Sequence, residues 1–240
     1  MSASRYRAVF FDLDDTLFDH QAHRREALAA LKVAAGLDSA IEVASLEAAH
    51  ERHLQRTHSL LLAGAITLEK ARLERLRETL ADHCLQANDE QLAQLEVVYR
   101  DAYDRHWRHV PGSIELLDSL RRAGAWLGVV TNGRKKDQLP KLERLGLLPF
   151  LDKVFISEVM GCEKPAREFF AQIAATACVD PSDCVVVGDL WNTDIVGAAA
   201  SGMSAVWLNR YDRKPLTTAA ATEITSFEPL ESVLKHFVRS

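Results

Sequence analysis

The 240-residue sequence predicts an α/β fold, with a parallel sheet covered on both faces by helices and one long helical insertion. Three observations carry that expectation. Short, wholly apolar runs alternate with helix-patterned stretches, which is the texture of strands buried on both faces. Each of the strongest runs stops at polar residues that can do chemistry. The stretch from Thr16 to Trp107 is rich in Ala, Leu, Glu, Arg and Gln and has almost no Gly or Pro, so it reads as helix alone.

In chain order, Ala8-Val9-Phe10-Phe11 is the first strand, stopped by Asp12. In the helical block, Leu54, Leu61 and Leu62, then Leu68, Leu73, Leu76 and Leu80, recur at helical spacing. Thr67 is a candidate helix cap, lacking the acidic partner of a full capping box. From Pro111 the alternation begins. Ser113 is expected to cap a helix carrying Ile114, Leu117 and Leu120, with Gly124 ending it. Trp126-Leu127-Gly128-Val129-Val130 is a strand running into Thr131-Asn132-Gly133. A helix carrying Leu139, Leu142 and Leu145 stops at Gly146. Val154-Phe155-Ile156, Cys184-Val185-Val186-Val187 and Ala205-Val206-Trp207-Leu208 are further strands. Helices around Phe169 to Ala174 and Ile195 to Ser201 separate them. The Ala-Thr cluster from Thr217 to Thr222 reads as a surface loop. Together these give a Rossmann-like three-layer core with a parallel sheet, formed by residues 1–15 and 108–240, and an inserted α-helical cap over 16–107. Ligands of such sheets sit beyond the C-terminal ends of the strands.

Composition narrows the function. A formal net charge of −5 lacks the basic footprint of a nucleic-acid-binding surface, though it leaves room for a locally positive site. Cys84, Cys162, Cys178 and Cys184 show no metal-site or disulfide spacing, as expected of thiols in a reducing compartment. No apolar run is long enough for a signal-peptide core or a membrane span, so the expected location is the cytoplasm.

Four strand ends carry the chemistry. Asp12 and Asp14, two residues apart on an extended segment, point roughly the same way, and paired carboxylates repel unless a cation or proton lies between them. Solvated acids at a strand end are the plain alternative. Thr131-Asn132-Gly133 offers a hydroxyl and backbone N–H groups to phosphate oxygens; a simple turn would also explain it. Lys164, before Pro165, is either a surface lysine or a fixed cation offsetting the gathered negative charge. Asp189, after the Cys184–Val187 run, and Asp194, at the next helix start, are hard oxygen donors suited to Mg²⁺, with helix capping as the alternative for Asp194.

Asp12-Leu13-Asp14-Asp15-Thr16, Thr131-Asn132-Gly133, Lys164-Pro165 and Gly188-Asp189 with Asp194 match in order the four motifs of the haloacid dehalogenase-like hydrolase superfamily. The helical block after the first motif resembles the subgroup with a small α-helical cap. The resemblance implies a Mg²⁺-dependent phosphatase acting on small phosphorylated metabolites, as a monomer or homodimer. Asp12 would be the nucleophile that becomes an aspartyl-phosphate, and Asp14 the acid and then the base. Thr131, the Asn132 backbone and Lys164 would hold the phosphoryl group. Asp12, the Asp14 main-chain carbonyl, Asp189 and Asp194 would hold the metal, and the cap would close over the leaving group. Dehalogenases of the superfamily lack an acid at the position of Asp14, so the resemblance favours phosphate esters over carbon–halogen bonds. A phosphotransferase or phosphomutase, and a non-catalytic binding module, are the remaining alternatives.

Phe10 to Phe18, Gly64-Ala65-Ile66-Thr67 and Trp207-Leu208-Asn209-Arg210 look like the pyrimidine 5′-nucleotidase branch, which brings nucleoside 5′-monophosphates among the candidate substrates. Arg134-Lys135-Lys136 reads as a solvated helix start. His106, Trp107 and His109 fit a hinge at the crossing between cap and core better than a metal site. Trp191 is bulky for its loop, and is either packed under the cap or incidental.

Overall fold

The computed structural model describes residues 4–105, 107–215 and 217–238; His106 lies outside them. The chain divides into two compact units, Met1–Asp19 with Arg108–Ser240, and His20–Trp107.

The first unit opens with strand β1 (Ala8–Phe11). The helices of the second unit are α1 (His20–Ala34), α2 (Val43–Leu62), α3 (Leu68–Ala81) and α4 (Asp89–Arg105). The chain then returns to the first unit as α5 (Ser113–Arg122), β2 (Trp126–Thr131), α6 (Lys135–Arg144), β3 (Lys153–Ile156) and α7 (Ser157–Met160). It continues through α8 (Arg167–Ala177), β4 (Cys184–Gly188), α9 (Val196–Ala200) and β5 (Ser204–Leu208), and closes with β6 (Thr222–Ile224) and α10 (Leu230–Leu234).

The six strands form one parallel sheet in the order β3-β2-β1-β4-β5-β6. β1 is central: Phe11 is level with Val129 of β2 on one side and Val187 of β4 on the other. The chain fills the β2 side first and then crosses to β4, so the strand order reverses at the C-terminal end of β1, where such sheets bind ligands. β1 is apolar on both faces because both faces are covered. All four of its residues are fully buried, and Phe10 packs against Trp126 and Phe155 at ring-centroid distances of 5.5 and 6.1 Å. Phe169, Phe170 and Ile173 of α8 are fully buried in the same core cluster. Phe170→Ala is expected to cost about 3–5 kcal/mol of stability, read as a lower urea midpoint at unchanged m-value.

In the second unit, Leu28, Leu31, Leu46, Leu76, Leu80, Leu92 and Leu95 form the apolar centre of the four helices. Thr67 caps α3 as expected, its hydroxyl accepting from the Lys70 N–H at 3.2 Å.

Four expectations change. The units part after Asp19 and not after residue 15, because Thr16 to Asp19 associate with the returning chain: Val110 N–H donates to the Leu17 carbonyl at 2.9 Å and Asp19 N–H to that of Arg108 at 3.2 Å. Ser113 is not a cap but the first residue of α5, after Gly112 in the left-handed region. The Thr217–Thr222 loop ends in a sixth strand, β6, which pairs with β5 through Val206–Thr222 to Leu208–Ile224. Trp191 packs within the first unit, edge-on to Trp207 at 4.8 Å, with its indole N–H donating to Thr217 at 3.2 Å. No helix among the described residues is long and apolar enough to cross a membrane.

Candidate active site

Every residue singled out at the four strand ends lies at the C-terminal edge of the sheet in the first unit. Asp12 follows β1 directly, and its N–H donates to the Val187 carbonyl at 2.9 Å. The chain then turns sharply: Leu17 and Phe18 N–H groups both donate to the Leu13 carbonyl at 2.9 Å, and Asp15 takes a left-handed φ of 62°.

Asp12, Asp189 and Asp194 converge. Each is buried, and their ligand-capable oxygens all lie within 4.8 Å of one another. Lys164 is no surface lysine. It is 3% exposed, and its ammonium donates to Asp12 at 2.7 Å, to Asp194 at 2.7 Å and to the Val130 carbonyl at 2.9 Å. Lys164 thus serves two of the three buried carboxylates, and Asp189 pairs with Arg213. Burial pushes the Asp12 carboxyl up to about 7; Lys164 pulls it back and Asp194 pushes it further up. Burial, then Asp12 and Asp194, hold Asp189 well above the usual carboxylate range. Burial alone would lower the Lys164 ammonium, but Asp12 and Asp194 outweigh it and keep it above the ordinary lysine value.

This arrangement fits a divalent cation. Besides the shortage of positive charge, Asp189 Oδ1 is buried with no hydrogen-bond partner, while Oδ2 accepts from Arg213 at 3.0 Å. Carboxylate oxygens are the donor type that Mg²⁺ and Ca²⁺ take. Gly188 leaves the necessary room, since a Cβ there would fall 2.3 Å from Asp194 Oδ2. Asp194 does not cap α9. Its Oδ2 accepts from the Leu190 N–H at 3.0 Å, four residues back, and Oδ1 faces Lys164.

Thr131 ends β2 and is 1% exposed. The Asn132 side chain braces Lys164: its Nδ2 donates to the Lys164 carbonyl at 2.9 Å, and its Oδ1 accepts from the Lys164 N–H at 3.0 Å. Two of the backbone N–H groups after it, which the sequence offered to phosphate, are engaged within the protein. Gly133 N–H donates to the Ser157 hydroxyl at 2.9 Å and Lys135 N–H to Glu158 at 2.8 Å. The Asp14 carboxylate stands apart from the three-acid cluster and is held by α6. Lys141 Nζ donates to both its oxygens, at 2.6 and 2.8 Å, and Gln138 Nε2 to Oδ2 at 3.1 Å.

Gln138, Lys141 and Arg213 have no place in the sequence reading, and Arg210, there only as part of Trp207-Leu208-Asn209-Arg210, forms a two-pronged pair with Asp19 at 3.0 and 3.1 Å. One signal was available. Gln138 and Lys141, three apart on the helix that follows Thr131-Asn132-Gly133, share a helical face. For the arginines, the loop carrying them shows no spacing that points to Asp19 or Asp189. Of the suggested hinge group, His109 Nε2 lies 2.7 Å from the Leu145 carbonyl in the first unit.

A family model described as haloacid dehalogenase-like hydrolase matches residues 6–202. The glyceraldehyde 3-phosphate phosphatase of Methanopyrus kandleri is 31% identical over 227 residues, covering 92% of each chain. The pyrimidine 5′-nucleotidase YjjG of Escherichia coli is 35% identical over 130 residues, 53% of this chain and 57% of the nucleotidase. Among solved structures, magnesium-bound YfnB from Bacillus subtilis, described as a HAD-hydrolase, superimposes with a TM-score of 0.72 at 27% identity, over 96% of this chain and 99% of that one.

Proposed function

The chain belongs to the haloacid dehalogenase-like hydrolase family, and from that premise we propose that it is a Mg²⁺-dependent phosphatase of small phosphate monoesters, working through an aspartyl-phosphate. The observation that carries the reading is the pairing of two acids in unlike settings. Asp12 is buried against Lys164 beside two further carboxylates, while Asp14, two residues on, is partly exposed and held by neutral and cationic donors. Divided settings suit divided roles.

Asp12 attacks phosphorus as the ester oxygen leaves, which replaces one hard displacement by two easier ones. Asp14 gives its proton to the departing oxygen and, in the second half, takes one from the water that attacks the aspartyl-phosphate. Lys164 keeps Asp12 in line and contributes positive charge to the phosphoryl oxygens, and the Thr131 hydroxyl donates to another of them. Asp12, Asp189, Asp194 and the Asp14 main-chain carbonyl would hold the Mg²⁺. When bound, the cation offsets the negative charge that nucleophile and phosphoryl group bring together. An acid at position 14 favours this over haloacid cleavage, whose halide leaves without a proton. The names of the relatives support a small phosphorylated metabolite as the substrate, and sugar phosphates and nucleoside monophosphates are the first candidates to assay. The unpaired cysteines accord with a cytoplasmic enzyme, working as a monomer or homodimer.

A panel of nucleoside monophosphates, sugar phosphates, flavin mononucleotide and pyridoxal phosphate, assayed with Mg²⁺ for free phosphate, tests the proposal. Free phosphate from at least one ester is expected. Conversion without free phosphate would indicate transfer to another hydroxyl, and an inert protein would indicate a binding module.

A further inference from the structure

We infer that Gln138 and Lys141, one turn apart on α6, form a two-sided clamp that positions the Asp14 carboxylate for its proton transfers. This inference rests on the phosphatase reading above.

Asp14 needs such a clamp. It lies in an irregular turn after β1, and its side chain is 32% exposed, so without restraint it would sample several rotamers. Proton transfer to a leaving oxygen demands a fixed donor, and small displacements of a reacting group cost orders of magnitude in rate. Lys141 restrains the carboxylate from one side. Its ammonium reaches both oxygens, its side chain is only 13% exposed, and it lies 5.5 Å from the centre of the Phe18 ring. An exposed ion pair contributes little, but this lysine is packed as well as paired.

Gln138 restrains Asp14 from the other side and ties it to the phosphate loop. Its Nε2 lies 3.1 Å from Asp14 Oδ2, 3.0 Å from Thr131 Oγ1 and 2.9 Å from the Asn132 carbonyl. Three acceptors share two amide protons, so one side chain reports to the acid and the phosphate-binding hydroxyl together. The amide is costly to keep. Gln138 is 4% exposed and its Oε1 is buried without a partner, a penalty of about 1–3 kcal/mol that an apolar residue would avoid. The neighbouring backbone also yields to it. Gly133 has a φ of 143°, and a Cβ there would lie 2.9 Å from Gln138 Nε2. Gly133 of the Thr131-Asn132-Gly133 turn therefore makes space for this amide. Gln138 and Lys141 touch Asp14, so they are positioning residues.

The test compares leaving groups. A nitrophenolate departs without a proton, whereas an alkoxide needs one as it leaves. Values of kcat/KM, which report the steps up to leaving-group departure, are measured for Lys141→Met and Gln138→Leu on p-nitrophenyl phosphate and on the fastest alkyl ester of the panel above. Each variant is expected to lose about 10²-fold more on the alkyl ester than on the aryl ester. The aryl rate serves as the control for folding and phosphate binding. Equal losses on both esters, or no loss on the alkyl ester, would overturn the clamp while leaving the phosphatase reading intact. Wild-type protein inert toward every ester would overturn the phosphatase reading and the clamp with it.

Discussion

Asp12→Asn is expected to abolish turnover, by about 10⁴-fold or more in kcat, while the protein folds as the wild type does. The amide keeps the size and shape of the carboxylate but is a poor nucleophile. Folding should survive because Lys164 retains two of its three partners, Asp194 at 2.7 Å and the Val130 carbonyl at 2.9 Å. The substitution also removes one of three mutually repelling acids. The stability change should stay within about 2 kcal/mol, below the usual cost of breaking a buried pair. Phosphate release and thermal melting, measured on the same preparation, check both halves. Turnover by the variant near the wild-type rate would remove Asp12 from the nucleophile's role, whatever the melting curve shows.

Removing divalent cations should be nearly as severe. Charge stabilisation of several kcal/mol corresponds to roughly 10³-fold in rate, so chelator should silence the enzyme and Mg²⁺ restore it. The structure adds a consequence that does not depend on activity. Without metal, the Asp12 carboxyl is raised from 3.8 to about 7, by burial first, and Asp189 is raised also. The native state therefore holds protons that the unfolded chain has released between about pH 4 and 7. Over that window the unfolded state binds fewer protons, so this group's contribution to the stability of the metal-free protein falls as pH rises. A cation among the carboxylates favours their charged forms, so its binding near pH 6.5 should expel protons. Titration calorimetry in buffers of different ionisation enthalpy would show the release, and the gain in melting temperature on adding Mg²⁺ should be larger at pH 7 than at pH 5. Metal binding without proton release would mean that the acids are already ionised in the metal-free protein.

Two kinds of information separate at this site. The strands, their polar ends and the helical insertion were legible because each is written in neighbouring residues. An apolar run such as Cys184 to Val187 that breaks at Gly188-Asp189 declares a buried strand and a loop within six letters. Lys164 was legible only by its company: alone it looks like a surface residue before a helix, yet it is 3% exposed. Thr16 to Asp19 fall in the first unit, four residues beyond the expected boundary, because they owe their position to residues near 109. β6, three residues long, has no apolar run of its own and exists as a strand through its pairing with β5.

By itself the sequence determined the parallel α/β core, the helical insertion and the four motifs, since helix and strand periods and turn chemistry act over a few residues. Only the tertiary structure decided that β2 and β4 flank β1, that one buried lysine is shared by the acids of two strand ends, and that Gln138 and Lys141, 124 and 127 residues from Asp14, hold its carboxylate. Those contacts depend on which strands become neighbours. Nothing in a local window specifies that choice, because it is made by burying both faces of the whole sheet at once.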